Sequence, residues 1–341
     1  MNKYDEKYDI RFAKYEEIDE VMQFIDKHWK KGHIMSRNRK LFEHEFFIDG
    51  KVNFLIAKEK ATGDIKGTYG FMPSSKNKNE MDIWGSIWKV LPNSMLLLGV
   101  EMFKRIKEYA NVRAFLQIGA NPKTTVQLMK TILDYDDVGK MKHFYCLSKR
   151  NEYKIAKIEH YEKFKENTSY QVKSIPFKNI DEVKNNYDFS CNESFLPYKD
   201  IWYVNHRFFD YPIYKYQVYG LFENASDKAE ALLVCREQEY NGEKVLRIVD
   251  YIGKSNLFAG ISTFLADNLK KYEYIDLYCY GFDTDFIEQA GMIELKYDDK
   301  NIIPNYFNPY LAENIDIWVG TPKGKGKAIF FKADGDQDRP N

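Results

Sequence analysis

"AFLQIGANPKTTVQLMK", Ala114 to Lys130, changes character halfway along. Phe115, Leu116 and Ile118 form an apolar run that stops at Asn121-Pro122, and the residues beyond take helical spacing. Proline suits the first turn of a helix because the N–H it lacks has no partner there. Asn121 just before it supplies a capping side chain. The stretch reads as a buried strand feeding straight into a helix, well inside a longer chain.

Upstream, "MDIWGSIWKV" reads as a strand. "PNSM" opens a helix with Met95, Leu98, Met102, Ile106 and Tyr109 in one stripe and Asn93 or Ser94 as its cap. "VNFLIAKEK" and "IKGTYGFMP" flank the turn "ATGD" as a hairpin. Near the start, "YDIRFA" is a short strand, followed by an amphipathic helix through Ile18, Val21, Met22 and Ile25. A polar loop, "KKGHIMSRNRK", precedes the apolar patch "LFEHEFF", and "KHFYCL" supplies the last strand of this unit.

Beyond a charged bridge, "SKRNEYKIAKIEHYEKFKENTSY", expected to be a linker helix or connector, the same order returns without close residue identity. "QVKSIPF", "YKYQVYGLF", "EALLVCREQEY", "EKVLRIVDYIG", "YIDLYCYG" and "KAIFFKA" read as strands, and Asn241-Gly242 is a hairpin turn. "NIDEVKNNYDF", the face Leu257, Ile261, Phe264, Leu265 and Leu269, and "TDFIEQAG" read as helices. The expected fold is α+β, with two tandem domains of mixed, mostly antiparallel sheet flanked by helices. They span residues 1–150 and 171–341, with the connector at 151–170.

Composition narrows the function. The chain has 341 residues, with Lys+Arg and Asp+Glu both at 51. That balance argues against bulk electrostatic binding to nucleic acid. The four cysteines, Cys146, Cys191, Cys235 and Cys279, show no metal-ligand or disulfide spacing and read as free thiols in a reducing compartment. There is no apolar leader and no run long enough to cross a bilayer, so a soluble cytoplasmic protein is expected. Oligomeric state is not readable. The ending "DGDQDRPN" spaces acids like the start of an EF-hand. It has Arg339 where the loop needs glycine, so calcium binding of that kind is excluded and no metal is expected.

The order of elements resembles the GNAT acyltransferase fold, and the pairing resembles tandem-GNAT proteins. The wording is closer still to GNAT-like proteins encoded with surface-polysaccharide genes. That impression rests on "IRFAKYEEIDEVMQFIDKHWKKGHIMSRNRKLFE", "SIWKV", "LLLGVEMF", "GANPKT" and "KADGDQDRPN". The resemblance implies an acyl-CoA donor whose pyrophosphate sits on backbone N–H groups at a helix N-terminus. Aligned on Met102-Phe103, the family's loop positions fall on Ser94, Leu97 and Gly99, of which only Gly99 fits. In the second half they fall on Asn256, Ala259 and Ile261, which fit worse, so the donor is expected in the first half. Trp88, Lys89, Val90, Asn93, Ser94, Gly99 and Asn121 are the expected donor contacts, though Gly99 also suits plain helix packing and Trp88 the core. The tyrosine that commonly protonates the departing thiolate would fall at Leu128 or Ile287, both apolar.

Acyl transfer to an amine needs a general base. His33 is one candidate, since imidazole titrates near neutrality; the alternative is a solvated loop histidine. Asp250 is the other: inside an apolar strand it needs a raised pKa or a fixed partner, unless it sits at the sheet's rim. Arg37 and Arg39 are shaped to hold a phosphate of an anionic acceptor, and Arg339 would do so if the tail entered an interdomain cleft. The implied function is transfer of an acyl group to an amine on a nucleotide- or lipid-linked sugar in surface-polysaccharide biosynthesis. Two rivals stand beside it. One is a Fem-like transferase using aminoacyl-tRNA, with Lys154 to Lys165 as an RNA-facing arm. The other is a non-catalytic tandem domain that binds a sugar nucleotide or a partner enzyme.

Overall fold

In the computed structural model the described residues are all but Met1, 77–79, 224–225, Tyr297 and Asn341. Two sheets dominate. The first takes β1 (Tyr8–Phe12), β2 (Phe54–Glu59), β3 (Ile65–Pro73), β4 (Met81–Val90), β5 (Val112–Ile118) and β6 (Tyr135–Lys140). The second takes β7 (Lys142–Leu147), β8 (Lys173–Phe177), β9 (Tyr216–Phe222), β10 (Ala231–Tyr240), β11 (Glu243–Gly253), β12 (Tyr274–Tyr280) and β13 (Ile293–Glu294). Two later strands, β14 (Trp318–Pro322) and β15 (Phe330–Phe331), join the first sheet and the second respectively.

The sheets share one plan. The first runs β1-β2-β3-β4-β5-β14-β6 and the second β8-β9-β10-β11-β12-β7-β13. Four antiparallel strands meet a fifth in parallel, β4 with β5 and β11 with β12. The next position is filled by the other half of the chain. β14 pairs antiparallel with both β5 and β6, and β7 pairs with both β12 and β13. The halves therefore exchange one strand each. The expected division at residue 150 does not match the sheets, because "KHFYCL" (β7) completes the second sheet rather than closing the first.

After a short first helix, Lys3–Lys7 (α1), the helices follow the apolar stripes. Ile18–Phe24 (α2) buries Ile18, Val21, Met22 and Phe24, and Leu98–Tyr109 (α5) buries Leu98, Met102, Phe103 and Ile106 against the first sheet. The polar loop after α2 holds the short helix Ile34–Arg37 (α3), and "LFEHEF" lies in the helix Arg39–Phe46 (α4). Asn93 and Ser94 do not cap α5. Its cap is Leu97, in the left-handed region at φ 62°, a backbone state that the aligned glycine would occupy without strain. Likewise Asn121-Pro122 forms a turn before the helix Thr125–Thr131 rather than capping it directly. The Asn121 side chain accepts the Lys123 N–H at 2.9 Å, and its carbonyl accepts those of Thr124 and Val126.

The charged bridge contains no helix. It lies along the second sheet, where the buried Glu273 carboxylate accepts the N–H groups of Lys154, Ile155 and Ala156 at 2.8–2.9 Å. Its charge therefore reflects a solvated outer face, with Ile155 and Ala156 turned into a core with Tyr145 and Tyr274. Between the sheets, one apolar cluster joins Trp84, Leu116 and Ile118 to Phe208, Val234, Tyr278, Val319 and Phe330. No helix among the described residues is long and apolar enough to cross a membrane.

Candidate functional site

The site grows from the one parallel pair in the first sheet. β4 and β5 pair from Met81↔Val112 to Trp84↔Leu116, with one register shift after Met81, and beyond that this edge of β4 runs on to Val90 without β5. A register shift in the β3–β4 ladder, with Ile87 at φ 50°, bends β4 away just there. On its other edge β4 keeps β3 to Gly67↔Val90. The N–H of Leu91 donates to the carbonyl of Lys66 at 2.9 Å. Antiparallel alternation then turns the backbone of Leu91 and Lys89 towards β3, and that of Val90 and Trp88 into the gap.

That gap is a cleft of about 760 Å³. Gly85 to Val90 form one wall and Gln117 to Asn121 the other. Trp29, Lys30 and His33 also line it, as do Tyr306, Pro309 and Leu311, and Asp336, Gln337 and Arg339 cross its end. Trp88 stacks on Tyr69 at 4.7 Å with parallel rings, so it serves core and cleft at once. Asp336 is the one carboxylate lining the cleft among the described residues, against the cations Lys30, Lys89 and Arg339.

The second sheet has the same splay, but it is filled. β11 and β12 pair from Leu246↔Ile275 to Ile248↔Leu277 and then part. Into that gap comes the chain's own end. Phe331 and Phe330 pair with Cys279 and Tyr280 of β12, and Ala333 N–H donates to Val249 of β11 at 2.7 Å. Gly281, at φ 75°, makes room: a Cβ there would lie 2.0 Å from the Ala328 carbonyl oxygen.

From this plug the tail continues, buried, across to the first sheet. Asp334 meets Lys199 at 2.7 Å, and Lys199 also holds Asp250 at 2.7 and 2.8 Å. Asp338 pairs with Arg236 at 2.9 and 2.7 Å and accepts the Tyr216 hydroxyl at 3.0 Å. Asp336 accepts Ser86 Oγ at 2.7 Å, Gln337 Nε2 at 2.6 Å and Arg339 at 3.0 Å. The tail is thus packed structure rather than solvated chain. No cluster of metal-binding side chains occurs among the described residues.

Placed on this frame, the expected residues separate. Trp88, Lys89, Val90, Asn121, His33 and Arg339 line the cleft. Asn93, Ser94 and Gly99 do not. Gly99 packs on the Trp88 indole, where a Cβ would come within 3.0 Å, and Ser94 Oγ bonds the Lys66 carbonyl. His33 is buried as the cap of Ile34–Arg37, its Nδ1 accepting the Met35 N–H at 3.2 Å. In the neutral ring that leaves the proton on Nε2, so neither ring nitrogen is placed to take a proton in that state. Arg37 is exposed outside the cleft, and Arg39 is spent on Glu43 at 2.7 Å and Asp19 at 2.5 Å. Arg339 reaches the cleft but already pairs with Glu45 at 2.7 Å and with Asp336.

Asp250 has the fixed partner its strand position demanded. It is fully buried away from the cleft, not at the sheet's rim. Burial raises its pKa to about 7, against the pull of Lys199 and with a further push from Asp334. Sequence reasoning missed Ser86, Tyr306 and Asp336. Tyr306, a phenol whose pKa burial raises, lines the cleft although both aligned positions are apolar.

No protein-family profile and no curated protein matches the chain. Among solved structures it is similar to a GCN5-related N-acetyltransferase from Anabaena variabilis, with TM-score 0.55 and 12% identity over 92% of this chain and 72% of that one. It is also similar to a conserved protein of unknown function from Enterococcus faecalis, with TM-score 0.52 and 11% identity over 84% and 70% of the two chains. Taken with the repeated strand order, the likeness shows the fold: α+β, of the GNAT type in both sheets.

Proposed function

We propose that this chain is an acyl-CoA-dependent N-acyltransferase that holds one donor, in the cleft of the first sheet. The observation that carries the reading is the contrast between two equivalent splays, one open and one filled by the chain's own end. An unpaired strand edge is a template for an extended, amide-bearing ligand. Trp88 and Val90 would pair with the amides of the donor's arm. Its phosphates would lie towards the start of α5 and Lys89, where the helix end and the cation favour negative charge. The thioester then comes to rest near Ser86, beside Asp336.

Asp336 is suited to take the proton of an incoming ammonium. The freed amine forms the C–N bond as the C–S bond breaks, its electron pair leaving on sulfur. Of the two protons the nitrogen loses, one ends on the CoA thiol, for which Tyr306 is the available phenol, and the other in solvent. Following the sequence resemblance, we place the acceptor amine on a nucleotide- or lipid-linked sugar, and the excess of cations in the cleft suits such an anionic substrate.

Native mass spectrometry with CoA and acetyl-CoA tests the donor. One molecule per chain is expected. No complex would refute the reading, and two per chain would refute the plugged second splay. A panel of UDP-linked amino sugars, followed by thiol release from acetyl-CoA, tests the acceptor.

A further inference from the structure

We propose that the cleft selects donors with short acyl chains, because the C-terminal segment closes the vertex where the acyl end would rest. The inference depends on the donor-binding reading above. With the phosphates towards α5, an extended donor on β4 points its acyl group at the point where β4 and β5 rejoin, Trp84↔Leu116. The chain's end lies across that point. A Cβ on Gly335 would sit 2.6 Å from Ile118 Cγ2 and 3.3 Å from Trp84 Cβ, so the backbone itself rests on the vertex. Gln337 covers the facing strand's end, its Nε2 2.0 Å from where a Cβ of Gly119 would be. Between them stands the Asp336 carboxylate, held by Ser86, Gln337 and Arg339.

This barrier is anchored on both sides, by Asp334 on Lys199 and by Asp338 on Arg236. A methylene chain could advance only by stripping solvent and partners from Asp336, which is costly for a charge left unpaired. The cavity beyond, among Trp84, Trp202, Tyr203, His206 and Gly335, measures about 30 Å³, room for about two waters.

The test is a calorimetric titration series on the full chain with CoA, acetyl-, butanoyl-, hexanoyl- and octanoyl-CoA. An acyl chain entering an apolar channel would tighten binding about fourfold per buried methylene. The expected result is affinity that is level or falling beyond acetyl-CoA. Affinity rising steadily to octanoyl-CoA would overturn the inference and leave the donor-binding reading intact. No binding of CoA or any thioester would refute that reading, and this inference with it. Gln337→Ala supplies the second arm: butanoyl-CoA should gain at least threefold over acetyl-CoA. An unchanged ratio would overturn the tail's part in setting chain length.

Discussion

Proline at position 90 should weaken donor binding while sparing the fold. In β4 the Val90 N–H faces the cleft, whereas Lys89 turns its backbone to β3. Proline deletes an N–H, and the loss matters only where that N–H has a partner. At Val90 no ladder bond is lost, and Lys89 before it already has the extended backbone that a following proline demands. The donor's amide carbonyl would lose its partner in a desolvated groove, at about 1–3 kcal/mol. That corresponds to roughly fivefold to 150-fold in Kd. Val90→Ala is the control, since it trims the same side chain and keeps the N–H. Titration calorimetry with CoA and thermal melts on both variants make the measurement. Val90→Pro should bind much more weakly than Val90→Ala at a similar melting temperature. Lys89→Pro, which cuts the ladder, should lower the melting temperature instead. Equal CoA affinity in Val90→Pro and Val90→Ala would refute the assignment of that edge to the donor.

Three further outcomes are expected. Asp336→Asn should keep acetyl-CoA binding but slow transfer to whichever amino sugar the native protein acylates by about 10²–10⁴-fold, the usual worth of a general base; an unchanged kcat would remove Asp336 from the mechanism. Asp250 and Asp334 should contribute stability that fades as pH rises from about 4 to about 7, because burial keeps protons on both where the unfolded chain has released them, while His44, His143 and His206, whose pKa values burial lowers, act in the opposite sense. In melts between pH 5 and 7.5 the stability of the native protein relative to Asp250→Asn should therefore fall as pH rises, and a difference that moves the other way would contradict the sign. A fragment of residues 1–150 should fail to give a cooperative thermal transition, since it lacks β14 and its β7 has no sheet to enter.

Elements governed by local chemistry were readable from the sequence. β3, β4, β5, β10 and β11 follow their apolar runs, and Asn241-Gly242 turns with φ of 53° and 75°. Pairing partners were not readable. "YDDVGK" (β6) is too polar to read as a strand and is held there by β14, whose sequence lies far away. Alternation says which face of a strand is buried and nothing about which half supplies its neighbour. The site divided in the same way. Trp88, Lys89 and Val90 lie on β4 and Asn121 just past the end of β5, the two places that the resemblance marks. Asp336 arrives from the far end of the chain, and its spacing there suggested only a failed calcium loop. His33 kept its place at the cleft, but burial and a backbone donor changed what its ring offers.

The exchanged strands also govern how the protein can be made. At a synthesis rate of about 5–20 residues per second, roughly ten to forty seconds separate the emergence of β6 from that of β14. During that interval β5 lacks the neighbour that completes its sheet, and β6 lacks the strand it pairs with. Native contacts of such long sequence separation form slowly and leave open edges exposed meanwhile. The nascent chain therefore carries open sheet edges until residues 318–339 emerge to finish both sheets and form the end of the cleft.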